Sequence, residues 1–177
     1  MRCEECAFVY EDLPATDIAA AVRSFAKRYR APLSRFLPGE DGDSIVRQRP
    51  EPDTWSALEY AAHVRDVFAS YSAWIELTLA EDRPLLEGPG PDELADLREY
   101  DGDDPVAVAE ALAANAERLA AVIEAVPADG WDRVGVRRDE ERSVLFTARR
   151  AVHEGGHHLL DIGRGMRAVR EDRKGGT

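Results

Sequence analysis

Four long stretches of the chain carry apolar residues at three- and four-residue spacing, and this pattern limits the fold more than any other feature of its 177 residues. Such spacing lines the apolar side chains along one face of an α-helix. The first stretch covers about residues 17–37, with Val22, Phe25, Ala26, Tyr29, Leu33 and Phe36 in phase and Pro38-Gly39 to stop it. The second runs from Trp55 to Ala80, with Asp53 or Thr54 as its N-cap and no full capping box, and Pro84 lies beyond its end. The third starts at Pro105 behind Asp104, a favoured opening, and continues to about Val126 with Val108, Leu112, Leu119 and Ile123 inward. The fourth opens at Ser143 and reaches about Arg170. Only residues 128–142 leave room for a short hairpin. The expected fold is therefore all-α, a four-helix bundle over residues 15–170, with an N-terminal extension at 1–14 and a flexible tail at 171–177. The connection from Arg83 to Asp104 is rich in Pro and Gly, and a short helix is expected near residues 92–99. A connection that long in a small domain is a candidate lid or partner surface.

Composition narrows the partners. Apolar residues make up 44% of the chain, enough for a core without disulfide staples, and the net charge is −12. Nucleic-acid binders gain affinity from clustered Lys and Arg, whereas the arginines here are scattered among acids, so a nucleic-acid partner is not expected. No apolar run reaches the ~18 residues of a membrane span, and the N-terminus has no apolar signal-peptide core. These features lead to the expectation of a cytoplasmic protein without a membrane partner. A spare apolar edge on a bundle would suit a homodimer.

The two cysteines form a single Cys3-x-x-Cys6. One such pair is half of a structural zinc site, which wants four nitrogen or sulfur ligands, and it is also compatible with a redox pair. A zinc ion shared across a dimer, a redox role and an exposed knuckle without metal all remain open on the sequence alone.

The histidines are more informative. His63 lies on the second helix, and His153, His157 and His158 lie on the fourth. At 100° per residue, His63 shares a face with Tyr60, Val64, Val67, Tyr71 and Trp74, so it points into the core. On the fourth helix the apolar face is set by Leu145, Ala148, Val152, Leu159, Ile162 and Met166. His158 lies near that face, with Glu154 one turn before it, whereas His157 lies nearly opposite, beside Arg150 and Arg164. Glu154 and His158 can chelate from one helix while His63 approaches from another. Two nitrogens and a carboxylate suit zinc, nickel or ferrous iron. His153 and His157 have the same spacing and form a rival pair. Gly155 and Gly156 fall toward the core side, where a neighbouring helix or ligand can come close. The string His153-Glu154-Gly155-Gly156-His157 also fits the His-Glu-x-x-His pattern of zinc proteases. Without the metzincin extension or an edge strand to hold a peptide, a protease is disfavoured.

With these residues in view, the chain resembles the DinB/YfiT-like superfamily of metal-binding four-helix bundles, which includes the mycothiol-dependent maleylpyruvate isomerases. The resemblance covers roughly residues 15–168. It rests on Trp55-Ser56 with His63 eight residues after the tryptophan, and on Glu154-x-x-x-His158-x-x-Asp161-Ile162-Gly163. The segment from Gly130-Trp131-Asp132-Arg133 to Arg142-Ser143 is also similar to family members. Three features depart from the family: many members have His in place of Glu154, the doubled glycine is not part of the pattern, and Cys3-x-x-Cys6 lies outside the shared bundle.

The resemblance implies a divalent metal on His63, Glu154 and His158, with zinc first among the candidates and Asp161 orienting a ligand imidazole. It also implies a low-molecular-weight thiol of mycothiol or bacillithiol type as co-substrate, with Arg149, Arg150 or Arg164 as candidate anion contacts. The activity it implies is a thiol-dependent S-transferase or isomerase acting on a small electrophile. The alternative is a metal-binding or stress-response module without turnover. A third reading is a structural bundle whose histidines hydrogen-bond to one another.

Overall fold

The structure is a computed structural model that describes residues 1–88, 94 and 100–175. Its helices are α1 (Ala15–Ser34), α2 (Gly42–Arg47), α3 (Ala57–Ala80), α4 (Pro105–Glu124) and α5 (Val144–Gly175), and a hairpin of β1 (Val134–Arg137) and β2 (Glu140–Ser143) precedes α5. The short helix expected near residues 92–99 lies outside the described residues, apart from position 94, which is helical.

Helix ends follow local chemistry. α1 stops at Ser34 rather than Leu37, two residues beyond Pro32, whose ring lacks an N–H donor. Phe36 therefore leaves the helix and lies over Gly42, where a Cβ would meet its ring at 2.3 Å. The residue that closes this gap opens α2, a helix the apolar spacing did not predict, and Asp41 caps it by accepting from the Ser44 N–H. α3 starts at Ala57 with Ser56 as its cap, not Asp53 or Thr54. Ser56 accepts from the Glu59 N–H, and Glu59 accepts from the Ser56 N–H, forming the capping box not expected from the Thr54 register. Arg49 closes this corner with paired hydrogen bonds to the Glu59 carboxylate. α4 opens as expected, with Asp104 accepting from the Ala107 N–H. Ser143 accepts from the Phe146 N–H at the start of α5. α5 continues past Arg170 to Gly175.

α1, α4, α3 and α5 form a ring of four packed helices, with α1 and α3 facing each other across the diagonal. The core between them holds Phe25 and Tyr29 of α1, Phe68 and Ile75 of α3, Leu112 and Leu119 of α4, and Ile162 of α5, each nearly or fully buried. Each such side chain contributes roughly 1.5–3 kcal/mol of burial free energy. The hairpin turns through Arg138 and Asp139, both at positive φ, as a two-residue turn matched to strand twist requires. The Arg137 guanidinium binds the carbonyls of Leu86 and Gly88 and stacks over Trp74, which holds the start of the long connection on the hairpin. The far end is moored on α3, where Tyr100 donates to Asp66 and Arg65 pairs with Asp103.

The N-terminal segment packs on α5. Arg2 and Val9 pair as an antiparallel bridge, and the Cys3 N–H donates to the Phe8 carbonyl at 2.9 Å. Tyr10 is buried and stacks on Phe146, and Arg149 donates to the Leu13 carbonyl at 2.8 Å.

Candidate metal centre

α3 and α5 are neighbours in the ring, and this places the first candidate triad together. His63 is 2% exposed, in the apolar stripe where its helical phase put it. From α5, Glu154 and His158 project at i,i+4 spacing, with His158 Nε2 3.4 Å and His63 Nε2 3.9 Å from Glu154 Oε2. One ligand atom from each of the three lies within 4.8 Å of the others. His63 Nδ1 is buried and makes no hydrogen bond, so a core histidine anchored to a backbone carbonyl is not what the structure contains. The rings of Trp55 and His158 pack around it at 5.2 and 4.9 Å.

Electrostatics favour an ionised carboxylate here. Burial pushes Glu154 upward, but the imidazoles of His153, His158 and His63 and the Arg150 guanidinium outweigh it and hold the carboxyl well below its usual range. Arg150 binds Glu154 Oε1 at 2.9 Å and donates to the Tyr71 hydroxyl, so Oε2 is the oxygen turned to the histidines. Burial lowers His158, yet the carboxylates of Asp161 and Glu154 raise it to about 9. Asp161 Oδ2 lies 3.0 Å from His158 Nδ1. This contact fixes which ring nitrogen carries a proton and leaves Nε2 to face Glu154.

A pocket lies next to the triad, reached through the neighbours of His158, Tyr60 and Asp161. It has a volume of about 210 Å³ and is lined by Pro50, Thr54, Tyr60, Asp161, Arg164 and Gly165. Tyr60 forms its wall and stacks on the His158 ring at 5.2 Å. Of the candidate anion contacts, Arg164 reaches this pocket, while Arg149 is taken up by the Leu13 carbonyl and Arg150 by Glu154.

His153 and His157, the rival pair, lie apart from this triad. They turn to the other side of α5 and meet the N-terminal segment, so that Cys3, Cys6, His153 and His157 form a second cluster. The face of α5 expected to be open around His157 is covered, and that side chain is 16% exposed. A third grouping of His157, His158 and Asp161 shares members with both, with Asp161 Oδ2 3.5 Å from His157 Nε2 and 3.0 Å from His158 Nδ1. The link between the cysteines and the paired histidines escaped the sequence reading. The available signal was two half-sites, Cys-x-x-Cys and His-x-x-x-His, with the second on an outward helix face.

Gly155 and Gly156 separate in role. A Cβ on Gly155 would meet the Phe25 ring at 2.7 Å, and Tyr29 donates to the Gly155 carbonyl at 2.9 Å. This is the expected close approach of a neighbouring helix. At Gly156 a Cβ would meet nothing within 4 Å, so no neighbouring helix comes close there.

Known proteins can now be set beside this geometry. The family model of the DinB superfamily matches residues 28–162. No curated protein matches the chain by sequence. Among solved structures, the chain is similar to YfiT from Bacillus subtilis, described as a probable metal-dependent hydrolase with an unusual four-helix bundle topology. The TM-score is 0.76 and the identity 15%, over 86% of each chain. It is also similar to a mycothiol-dependent maleylpyruvate isomerase, with a TM-score of 0.66 and 16% identity over 88% of this chain and 63% of the isomerase. At these identities the likeness is one of fold. Among the described residues no helix is long and apolar enough to cross a membrane.

Proposed function

From the chain's membership of the DinB superfamily, we propose that it is a divalent-metal-dependent enzyme that uses a small thiol as co-substrate, an S-transferase or isomerase acting on a small electrophile. The observation that carries the reading is the convergence of His63, Glu154 and His158 beside an open pocket. The donor set fits a divalent ion. It combines two imidazoles with a carboxylate held ionised, and the buried His63 ring keeps one nitrogen with no hydrogen bond. His63, Glu154 and His158 would hold the metal, with zinc first on ligand type and nickel or iron also compatible. When bound, the metal supplies Lewis acidity that keeps a coordinated thiol as thiolate at neutral pH.

The chain's own groups prepare the rest. Asp161 accepts from His158 Nδ1, so Nε2 gives up its proton when the ligand position is filled. Arg150 neutralises part of the Glu154 charge and fixes the carboxylate rotamer. Tyr60 stacks on His158 and covers one face of its ring. Arg164, with its side chain 59% exposed at the pocket rim, is positioned for an anionic group on thiol or electrophile. The thiol resemblance supports mycothiol or bacillithiol as the type of co-substrate, and the maleylpyruvate isomerase likeness points to an unsaturated acid as the type of electrophile.

A second reading, a metal-binding module without turnover, is favoured by one observation: two of the three ligands, His63 and Glu154, are buried. Calorimetry of mycothiol binding to zinc-loaded protein separates the two, followed by turnover with thiol and a panel of unsaturated acids. Binding and thiol-dependent turnover, both lost in His63→Ala, support the enzyme. Metal retention with neither binding nor turnover overturns it.

A further inference from the structure

We propose that Cys3, Cys6, His153 and His157 form a second, structural zinc site that fastens the N-terminal knuckle to α5. One ligand atom from each residue lies within 4.8 Å of all the others. In a tetrahedral site with zinc–sulfur and zinc–nitrogen bonds near 2.3 and 2.0 Å, a sulfur and a nitrogen ligand sit about 3.5 Å apart. The Cys3 Sγ to His157 Nδ1 distance is 3.7 Å. This pair is thus already close to its bound spacing.

The chemistry of the set is selective. Two thiolates and two imidazoles suit zinc and exclude magnesium and calcium, which take oxygen ligands. Four protein ligands leave no open position, so the site is structural rather than catalytic. Both thiols give up their protons on binding, and the two thiolates balance the charge of the ion with no change of oxidation state.

Three further contacts support the assignment. Neither ring nitrogen of His153 has a hydrogen bond, although both are buried between the helix and the rings of Phe8 and Tyr10, 5.6 and 5.5 Å away. A zinc ion would give one of them its missing partner. His157 turns Nδ1 to the Cys3 sulfur and Nε2 to the carboxylates of Glu5 and Asp161, at 3.2 and 3.5 Å. A carboxylate on the distal nitrogen is how metal-bound histidines are commonly held. The knuckle itself turns back through Ala7 at φ 59, an unfavourable conformation for a residue with a Cβ, and is closed by the Arg2–Val9 bridge. A Cys3–Cys6 disulfide would have no thiol proton to share, and would leave both His153 nitrogens without a hydrogen bond.

Cobalt substitution tests the site independently of the His63 triad. Protein is purified under reducing conditions, stripped, and loaded with Co²⁺ alone. The expected product carries two metal ions per chain and shows thiolate-to-cobalt charge transfer in the near ultraviolet. Cys3→Ser/Cys6→Ser loses that absorption and one ion. His63→Ala loses the other ion and keeps the absorption, so failure of the proposed enzyme site is distinguishable from failure of this one. His157→Ala, which retains both thiols, weakens cobalt binding at the thiolate site at least tenfold. Wild-type protein without thiolate charge transfer, or a double serine variant with unchanged metal content, overturns the proposal.

Discussion

His153 and Glu154 are consecutive on α5, with Nδ1 and Oε1 3.6 Å apart, yet their side chains serve different clusters. Glu154 points to His63 on α3, and His153 points to the cysteines of the N-terminal segment. The interleaved pairs 153/157 and 154/158 need only one helix because i and i+4 stack on a common side while adjacent residues diverge by 100°. Asp161 joins the two sets a second time, through His157 on one side and His158 on the other. A change in either cluster is therefore felt in the other through short polar contacts.

Glu154→Gln tests the charge at the centre of this arrangement. The variant leaves Arg150 without its carboxylate and removes a major support of the raised His158 pKa. Metal-stripped protein should lose about 1–3 kcal/mol of stability, the usual cost of breaking a largely buried charge pair on one side. Zinc affinity at the His63 triad should fall by more than the roughly 10–100-fold typical of an outer partner. Chemical denaturation and competition with a chelating dye measure the two effects separately.

Gly155→Ala and Gly156→Ala should move stability in opposite directions. At Gly155 the added methyl meets the Phe25 ring at 2.7 Å in a packed core, for a loss of about 1–3 kcal/mol. At Gly156 the methyl finds open space, and the gain in helix propensity stabilises by about 0.5–1 kcal/mol. Thermal melts of the two variants check both signs. A destabilised Gly156→Ala would show that the helix needs its freedom there.

The bundle was legible because its signal is repetitive: Val22, Phe25, Tyr29 and Leu33 report one face several times over, as do Val108, Leu112 and Leu119. The burial of His63 was legible for the same reason, since helical phase directs it inward. What escaped depends on contacts between distant segments. Nothing in the spacing of Cys3 and Cys6 says that they land on His153 and His157. Phase placed His157 on an outer face, and only a separate segment folding over α5 covers it. The cap of α3 was misplaced for a local reason. Thr54 and Ser56 both offer a capping oxygen, and the choice falls to Ser56 because Glu59 stands three residues on and is held there by Arg49.

That cap gives a pH-dependent prediction. Burial raises Glu59, but Arg49 and the groups of Ser56 outweigh it and bring its pKa below the ordinary value of 4.5. A carboxylate depressed in the folded state contributes stability above its unfolded pKa and loses it as pH falls through the folded value. Stability should therefore decline as pH drops below about 4.5. The decline should be shallower in Glu59→Gln, measured by urea denaturation at a series of pH values. Ser56→Ala should cost about 1 kcal/mol at neutral pH through the lost cap alone.

Asp161→Asn isolates the role of the shared carboxylate. The amide keeps the size of the side chain but removes the charge that faces His158 Nδ1 and His157 Nε2. If Asp161 positions the two imidazoles, zinc affinity should fall roughly 10–100-fold while the fold persists, because the aspartate bonds to His157, His158 and Arg164 of its own helix. Its loss should also return the His158 pKa from about 9 toward the usual histidine range, a shift visible in a proton titration of the metal-free ring by NMR. A purely structural aspartate would change the melting temperature and leave both the metal affinity and the titration where they were. Asp161→Glu, which retains the charge on a longer arm, should recover part of the affinity, and the degree of recovery measures how closely the carboxylate must sit to the two rings.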